Sequence, residues 1–405
     1  MSETVDQNIT DCDIEITQSQ MNFYEHYSWW LGGIASIVLA TFGLLFNTIS
    51  VYILCDRRLF SSFFNTMLAC LAVVDNSFLF IRICVTMVMQ FMELSPTPSE
   101  GIHLSVFIYL LHPSQSFFMT CSIYITIELA WERYTSISNP HLHHLRQMQS
   151  KGFRTFLYIM PVVMLSTIFN IPKLFERQVV ETKSKVVSLQ DSSWTNELGF
   201  NNNETIRHNH TYVLHIFPTD LRMNNEYITW YVTVANLIVN SIVPGVLLVF
   251  FNHKVQVYST KRAKCKSDAI RRQKESLNQP LESDSDNERK IQRYAIRQKC
   301  VLFAIVAMFF LCHALRVAQN VKEIIDFEEN RLEVEKGCIP NEFWELLLLP
   351  LSDLLVQINA SMNFFIYCIC DYIFRNVLDE KVSRIRSFRN STRRTAQEAI
   401  ELHST

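Results

Sequence analysis

The sequence predicts an all-α integral membrane protein, a seven-transmembrane helix bundle followed by a short C-terminal amphipathic helix. Three observations predict it. Hydrophobic residues make up 49% of the 405-residue chain and charged residues only 19%, more apolar material than a water-soluble domain hides. The apolar residues gather into seven stretches, each able to cross a hydrocarbon layer roughly 30 Å thick. Such a crossing takes about 20 helical residues, because an unpaired backbone group in lipid costs several kcal/mol. Lys and Arg concentrate in alternate connections, the pattern that fixes which side of a bilayer a loop occupies.

In order, the stretches run approximately 29–55, 63–91, 104–138, 152–175, 226–258, 292–325 and 340–369. The first follows an acidic segment (Glu3, Asp6, Asp11, Asp13, Glu15) and is too long for the core of a cleavable signal, so it reads as an uncleaved membrane helix. Arg57 and Arg58 follow the first span, Arg146, Lys151 and Arg154 the third, and Lys261, Arg262, Lys264 and Lys266 crowd the connection after the fifth. These connections are expected in the cytoplasm, as is the tail with Arg384, Arg386 and Arg389. The chain thus divides into an extracellular segment 1–28, a transmembrane domain 29–369 and a cytoplasmic amphipathic helix and tail 370–405, in the plasma membrane. Sequons at Asn8, Asn203 and Asn209 fall outside and are expected to be glycosylated. The outer loop 176–225 carries scattered apolar residues and is expected to form a structured lid. The inner loop 259–291 is polar without apolar periodicity and is expected to be disordered.

A net charge of −2 with no long run of one sign gives no electrostatic case for nucleic acid as a partner. The polar residues inside the spans are the informative ones, since a charge at mid-bilayer costs roughly 2.5–3.5 kcal/mol on the most lenient scale and turns inward to find partners. Asn47, Asp75, Ser122, Asn359 and Asn363 are expected to form one polar core cluster. No nucleophile and base converge among them, so the chain does not read as an enzyme. Inverted repeats, which a transporter would show, are not seen. Cys12 and Cys338 both fall outside, where they pair with each other or stay as free thiols.

Several motifs follow one another in a telling order: Gly43 through Asn47, Leu71-Ala72-Val73-Val74-Asp75, Glu132-Arg133-Tyr134 with Pro140 beyond, Pro244, Phe309 with Cys312, and Asn363-Phe364-Phe365-Ile366-Tyr367 followed by Phe374. In this the chain resembles the rhodopsin-like G protein-coupled receptors over almost its whole length. The resemblance implies that Asp75, Ser122, Asn359 and Asn363, with Asn47 beside them, form a hydrated pocket that can hold a sodium ion; the alternative is a hydrogen-bonded core without an ion. No other cofactor is implied. It also implies an activation switch, with Arg133 held by Glu132 at rest and freed toward a heterotrimeric G protein, and Tyr367 swinging inward; the alternative for Glu132-Arg133-Tyr134 is an ordinary interfacial charge pair. Phe374 begins the amphipathic helix along the inner leaflet.

Three stretches are similar to invertebrate receptors for FMRFamide-type neuropeptides: Asn170-Ile171-Pro172-Lys173-Leu174-Phe175-Glu176, Phe310-Leu311-Cys312-His313-Ala314-Leu315-Arg316, and Asn359 through Cys368. That likeness implies an extracellular amidated peptide as ligand. If the peptide ends in Arg-Phe-amide, its cation needs a carboxylate in the outer half of the bundle. Asp353, ten residues before Asn363 and so nearly three turns outward, is the candidate. A salt bridge from Asp353 to Arg316 or Arg82 is its structural alternative. Gln115, Asn320, Arg316, Gln357 and Arg82 fall at pocket heights by the same spacing, and His313 either responds to protonation or is a plain core histidine. A receptor for a non-peptide or chemosensory ligand is the second reading. The pattern also breaks in places. Ile108 stands where relatives have a disulfide cysteine, residues 173–226 contain no cysteine, and Leu315 replaces a kink-forming proline, so a differently hinged helix six is expected.

Overall fold

A computed structural model describes residues 17–60, 62–91, 105–139, 148–185, 210–277, 285–326, 342–371, 373–387 and 389. Helix α1 spans Gln18–Leu54, α2 Phe63–Phe91 and α3 His112–Ser138, with a π-helical lead-in over Phe107–Leu111. Helix α4 spans Lys151–Asn170. Helix α5, Val243–Leu277, follows π-helical turns at Ile228–Ala235 and Ile238–Ile242. Then come α6, Ser285–Ile325, α7, Phe343–Ser361 with a continuation over Asn363–Cys370, and α8 over 373–387. Between α4 and α5, strand β1 (Arg177–Lys185) pairs antiparallel with β2 (His210–Pro218), which gives the bundle a hairpin end opposite its α8 end.

Six of these helices are long and apolar enough to cross a membrane by length and composition. The helix that falls short is α3, which carries Glu128, Glu132 and Arg133. It packs against α2, α4 and α5, so much of its surface meets protein rather than lipid and tolerates polarity. The outward surface is apolar instead: Phe42, Phe80, Leu157, Ile168, Trp230 and Leu311 are each more than half exposed, as lipid-facing residues of a multi-pass membrane protein are. Inside, Met67, Leu71, Ile125, Leu129, Val301 and Tyr367 belong to one buried cluster that joins α2, α3, α6 and α7. Gly43 lets α1 come close, since a Cβ there would collide with Ser361 and Leu79.

Two boundaries differ from expectation. Helix α1 starts 11 residues before its apolar run, because Thr17 and Gln20 form a capping box and Gln18–Ser28 buries none of its side chains, a stretch that a hydropathy pattern does not register. The inner connection 259–291, expected to be disordered, is helical to Leu277 and again from Ser285. Lys, Arg, Gln, Glu and Ala have high intrinsic helix propensity, and a helix prolonged from the membrane needs no apolar face of its own to nucleate. The expected lid is a β-hairpin in its described part.

Ile108, in place of the family's cysteine, is 1% exposed and sits with Val85 and Phe107 in an apolar cluster that Val179 of β1 packs against. A packing contact thus pins the hairpin where relatives use a covalent one. Replacing Ile108 by Ala is expected to lower stability by about 2–5 kcal/mol and to speed amide exchange across β1 and β2. Exchange as slow as in the wild type would show that the hairpin is held elsewhere.

At the other end, Phe374 is fully buried and lies 5.6 Å from the Tyr367 ring, and its backbone N–H donates to Asp371 Oδ1 at 2.8 Å. Farther along α8, Lys381 Nζ approaches Asp56 at 3.4 Å and Glu380 pairs with Arg58 at 2.7 Å, latching α8 to the turn between α1 and α2. The Arg58 backbone N–H and the nearby Lys381 hold the Asp56 carboxyl below the usual carboxylate range.

Candidate functional site

Three polar layers follow one another along the bundle. The layer nearest α8 centres on the end of α3. Glu132, 2% exposed, accepts from Arg154 Nη2 at 2.5 Å and from the Tyr158 hydroxyl at 3.0 Å, both on α4. Arg154 also lies over the Phe63 ring at 3.9 Å. Arg133 stacks on Phe64 of α2, with its guanidinium carbon 3.2 Å from the ring centroid. Sequence reasoning set Glu132 against its neighbour Arg133; the geometry gives Glu132 a cation from α4 and gives Arg133 an aromatic platform. Tyr134 packs beside Phe251 and Tyr258 of α5. Tyr367 is buried, and its hydroxyl has no hydrogen-bond partner among the described residues.

The middle layer is the polar core. Asp75 is fully buried. The Ser122 hydroxyl donates to its Oδ1 at 2.6 Å and Asn363 Nδ2 to its Oδ2 at 2.7 Å, so one carboxylate ties α2, α3 and α7 together. Asn47 reaches α7 separately, donating to the Ala360 carbonyl at 2.9 Å. Asn359 is half-buried and makes no hydrogen bond to Asp75. The expected cluster therefore closes around three of its five members. Its oxygens, the Asp75 carboxylate and the Ser122 hydroxyl, are of the type a hard monovalent cation prefers.

The third layer is a cavity of about 380 Å³ at the hairpin end, and Arg82, Gln115, His313, Arg316, Asn320 and Asp353 all line it. Asp353 Oδ2 accepts from Arg82 Nη2 at 2.9 Å and its Oδ1 from Arg316 Nη2 at 2.8 Å, so one acid on α7 holds α2 and α6. His313 stacks on Phe309, with ring centroids 4.5 Å apart. Gln357 departs from its expected place on the cavity wall. It is 1% exposed and lies behind Arg82, where in the satisfied amide orientation it donates to the Ser36 carbonyl at 3.1 Å and accepts from Arg82 Nε at 3.3 Å. It positions Arg82 and does not face the cavity.

Some of the chemistry here was not singled out in the sequence. Arg154 looked like one more topology-setting cation, and Tyr158 carries no motif. Lys173 and Arg177 also line the cavity; Lys173 belongs to the Asn170–Glu176 stretch that resembles the neuropeptide receptors, but neither cation was expected at the ligand site. Cys12, Cys338, Asn8, Asn203 and Asn209 lie outside the described residues, so the disulfide and the glycosylation sites remain expectations.

A profile of the family described as "Serpentine type 7TM GPCR chemoreceptor Srw" matches residues 34–291, from within α1 into the start of α6, so it takes in the Asp75 and Glu132 layers. A Drosophila melanogaster protein named FMRFamide receptor is 24% identical over 357 residues, which cover 86% of this chain and 53% of that protein. A Caenorhabditis elegans protein named FMRFamide peptide receptor is 22% identical over 344 residues, or 85% of this chain and 67% of that one. The match therefore spans about half the length of the fly relative. With more than half of the chain under the family profile and a helical bundle carrying the three polar layers, this chain belongs to the serpentine 7TM G protein-coupled receptor family Srw.

Proposed function

We propose that this receptor sits in the plasma membrane with its hairpin end outside and is activated by an extracellular neuropeptide of the FMRFamide-like amidated class, signalling to a heterotrimeric G protein at the α8 end. The observation that carries the reading is the cavity at the hairpin end. Its walls come from α2, α3, α6 and α7, with Lys173, Arg177 and the π-helical turns before α5 closing it. The names of both relatives support the peptide class. A ligand that favours one packing of these helices shifts the population toward it, and the coupling passes through elements that have two arrangements. Here those are the Arg316–Asp353 tie, the Asp75 layer, and Glu132 with Arg133 and Tyr367. Asp75 and Ser122 are the residues that would hold a sodium ion at rest, adding a positive charge that neutralises the buried carboxylate. A Cys12–Cys338 bridge and glycans on Asn8, Asn203 and Asn209 belong to the same orientation.

The family's description favours a second reading, a chemoreceptor for a small non-peptide ligand. Expression with a promiscuous G protein and a screen of amidated peptides for calcium responses separates the two. Peptides ending in Arg-Phe-amide are expected to activate at submicromolar concentration, and responses confined to non-peptide compounds would replace the peptide reading.

A further inference from the structure

The charge at the cavity is lopsided. Four cations line it, Arg82, Lys173, Arg177 and Arg316, against the single carboxylate of Asp353. An adjoining cavity of about 190 Å³ shares Lys173 and Arg177 and adds Arg222 and Glu176. Asp353 is engaged by its two arginines; Glu176 accepts from the Tyr227 hydroxyl at 3.0 Å, and its carboxylate offsets part of the charge of Lys173 and Arg177. Among the described residues no carboxylate lies within ion-pair distance of Lys173, Arg177 or Arg222. Lys173 Nζ donates to the Ser116 hydroxyl at 2.9 Å, which occupies one of its three N–H groups. Arg316 Nη1 meets only the Met119 sulfur, at 3.1 Å, a weak acceptor for a guanidinium.

Cations gathered in a partly enclosed, low-dielectric space repel one another and are costly to desolvate unless an anion joins them. Arg82 has its anion, since its side chain is 12% exposed between Asp353 and Gln357. The deficit falls on Lys173, Arg177 and Arg316, which approach the cavity from the end of α4, the start of β1 and α6. Given the reading above that this cavity is the ligand site, we propose that the activating ligand places an anionic group, a carboxylate on an acidic peptide side chain or on a small organic acid, between Lys173, Arg177 and Arg316. The carboxylate replaces the Met119 sulfur as the partner of Arg316 Nη1 and gives Lys173 an anion in direct contact, where Glu176 acts on it only from beyond ion-pair distance. A ligand guanidinium, by contrast, reaches Asp353 only by displacing one of the arginines already bound there.

The test measures nucleotide exchange in membranes from cells expressing the full chain. Amidated peptides ending in Arg-Phe-amide are scanned with Glu and with its neutral isostere Gln at each preceding position, and succinate is assayed as a free organic acid. At one position Glu is expected to exceed Gln in potency by about tenfold. Lys173→Gln should bring the two peptides to parity and Lys173→Arg should keep the preference, all at matched surface expression. Peptides that activate with no Glu preference anywhere overturn the anion proposal and leave the peptide reading standing. Activation by succinate alone, lost in Lys173→Gln, does the reverse. Independently, the purified receptor should melt higher in succinate than in chloride at equal ionic strength, and Lys173→Gln should not. Equal melting of the wild type in the two salts also overturns the proposal.

Discussion

Replacing Arg154 by Gln is expected to destabilise the receptor by about 3–5 kcal/mol and to remove most of it from the cell surface, because it leaves a buried carboxylate without its cation. The Arg154 and Glu132 side chains are 4% and 3% exposed and 2.5 Å apart, so the pair is buried and in direct contact. After the substitution the Tyr158 hydroxyl remains on the carboxylate, but the guanidinium from α4 is gone. The added substitution Glu132→Gln removes the buried carboxylate charge that lost its α4 cation, so the double variant should recover a substantial part of the loss. Melting of the four purified forms, wild type, each single variant and the double, decides the matter. A single Arg154→Gln variant that melts with the wild type would show that the pair carries no weight.

That such a pair escapes a reading of the sequence has a physical cause. Arg154 is four residues into α4, at the membrane edge, where Lys and Arg ordinarily report topology and face water. Nothing in a linear pattern distinguishes it from Lys151, which is exposed. The bundle itself was legible because lipid demands long apolar runs, and α2, α4 and α7 obey that demand. It was less legible where water replaces lipid, as along the polar ends of α1, α5 and α6. Asp75, Ser122 and Asn363 were legible as intramembrane polar residues that need one another, and they meet. Gln357 shares α7 with Asn363 but turns toward Ser36, a choice of helix face that spacing from Asn363 leaves open. The cationic cavity is assembled from positions far apart in sequence, 82, 173, 177 and 316, one of them beyond the ends of the spans. Only the folded arrangement adds their charges together.

Replacing Asp353 by Asn is expected to raise ligand-independent nucleotide exchange by roughly 10–30-fold. Asp353 ties α7 to Arg316 of α6 and to Arg82 of α2. The Asp353 and Arg316 side chains are about a third exposed, so screening limits each pair to about 1 kcal/mol. Two such pairs that favour the resting packing amount to about 2 kcal/mol, which is the expected factor at 1.4 kcal/mol per tenfold. Asparagine keeps the shape and removes the charge, leaving the two guanidinium groups to repel each other across the cavity. Arg316→Gln should raise basal exchange as well, and adding it to Asp353→Asn should give no further increase from that pair. If the ligand's own arginine met Asp353, its citrulline analogue would lose potency on the wild type and not on Asp353→Asn; with the carboxylate already shared by two arginines, the two peptides should differ little on either. Helix α6 runs unbroken from Ser285 to Ile325 with Leu315 beside the tie, so it has no proline hinge to absorb a displacement at Arg316. The displacement is then carried along the helix as rotation of a rigid rod toward the α8 end. Unchanged basal exchange in Asp353→Asn at wild-type surface density would mean that the tie only packs the cavity wall and that α6 is held at rest by its apolar contacts with α5 and α7.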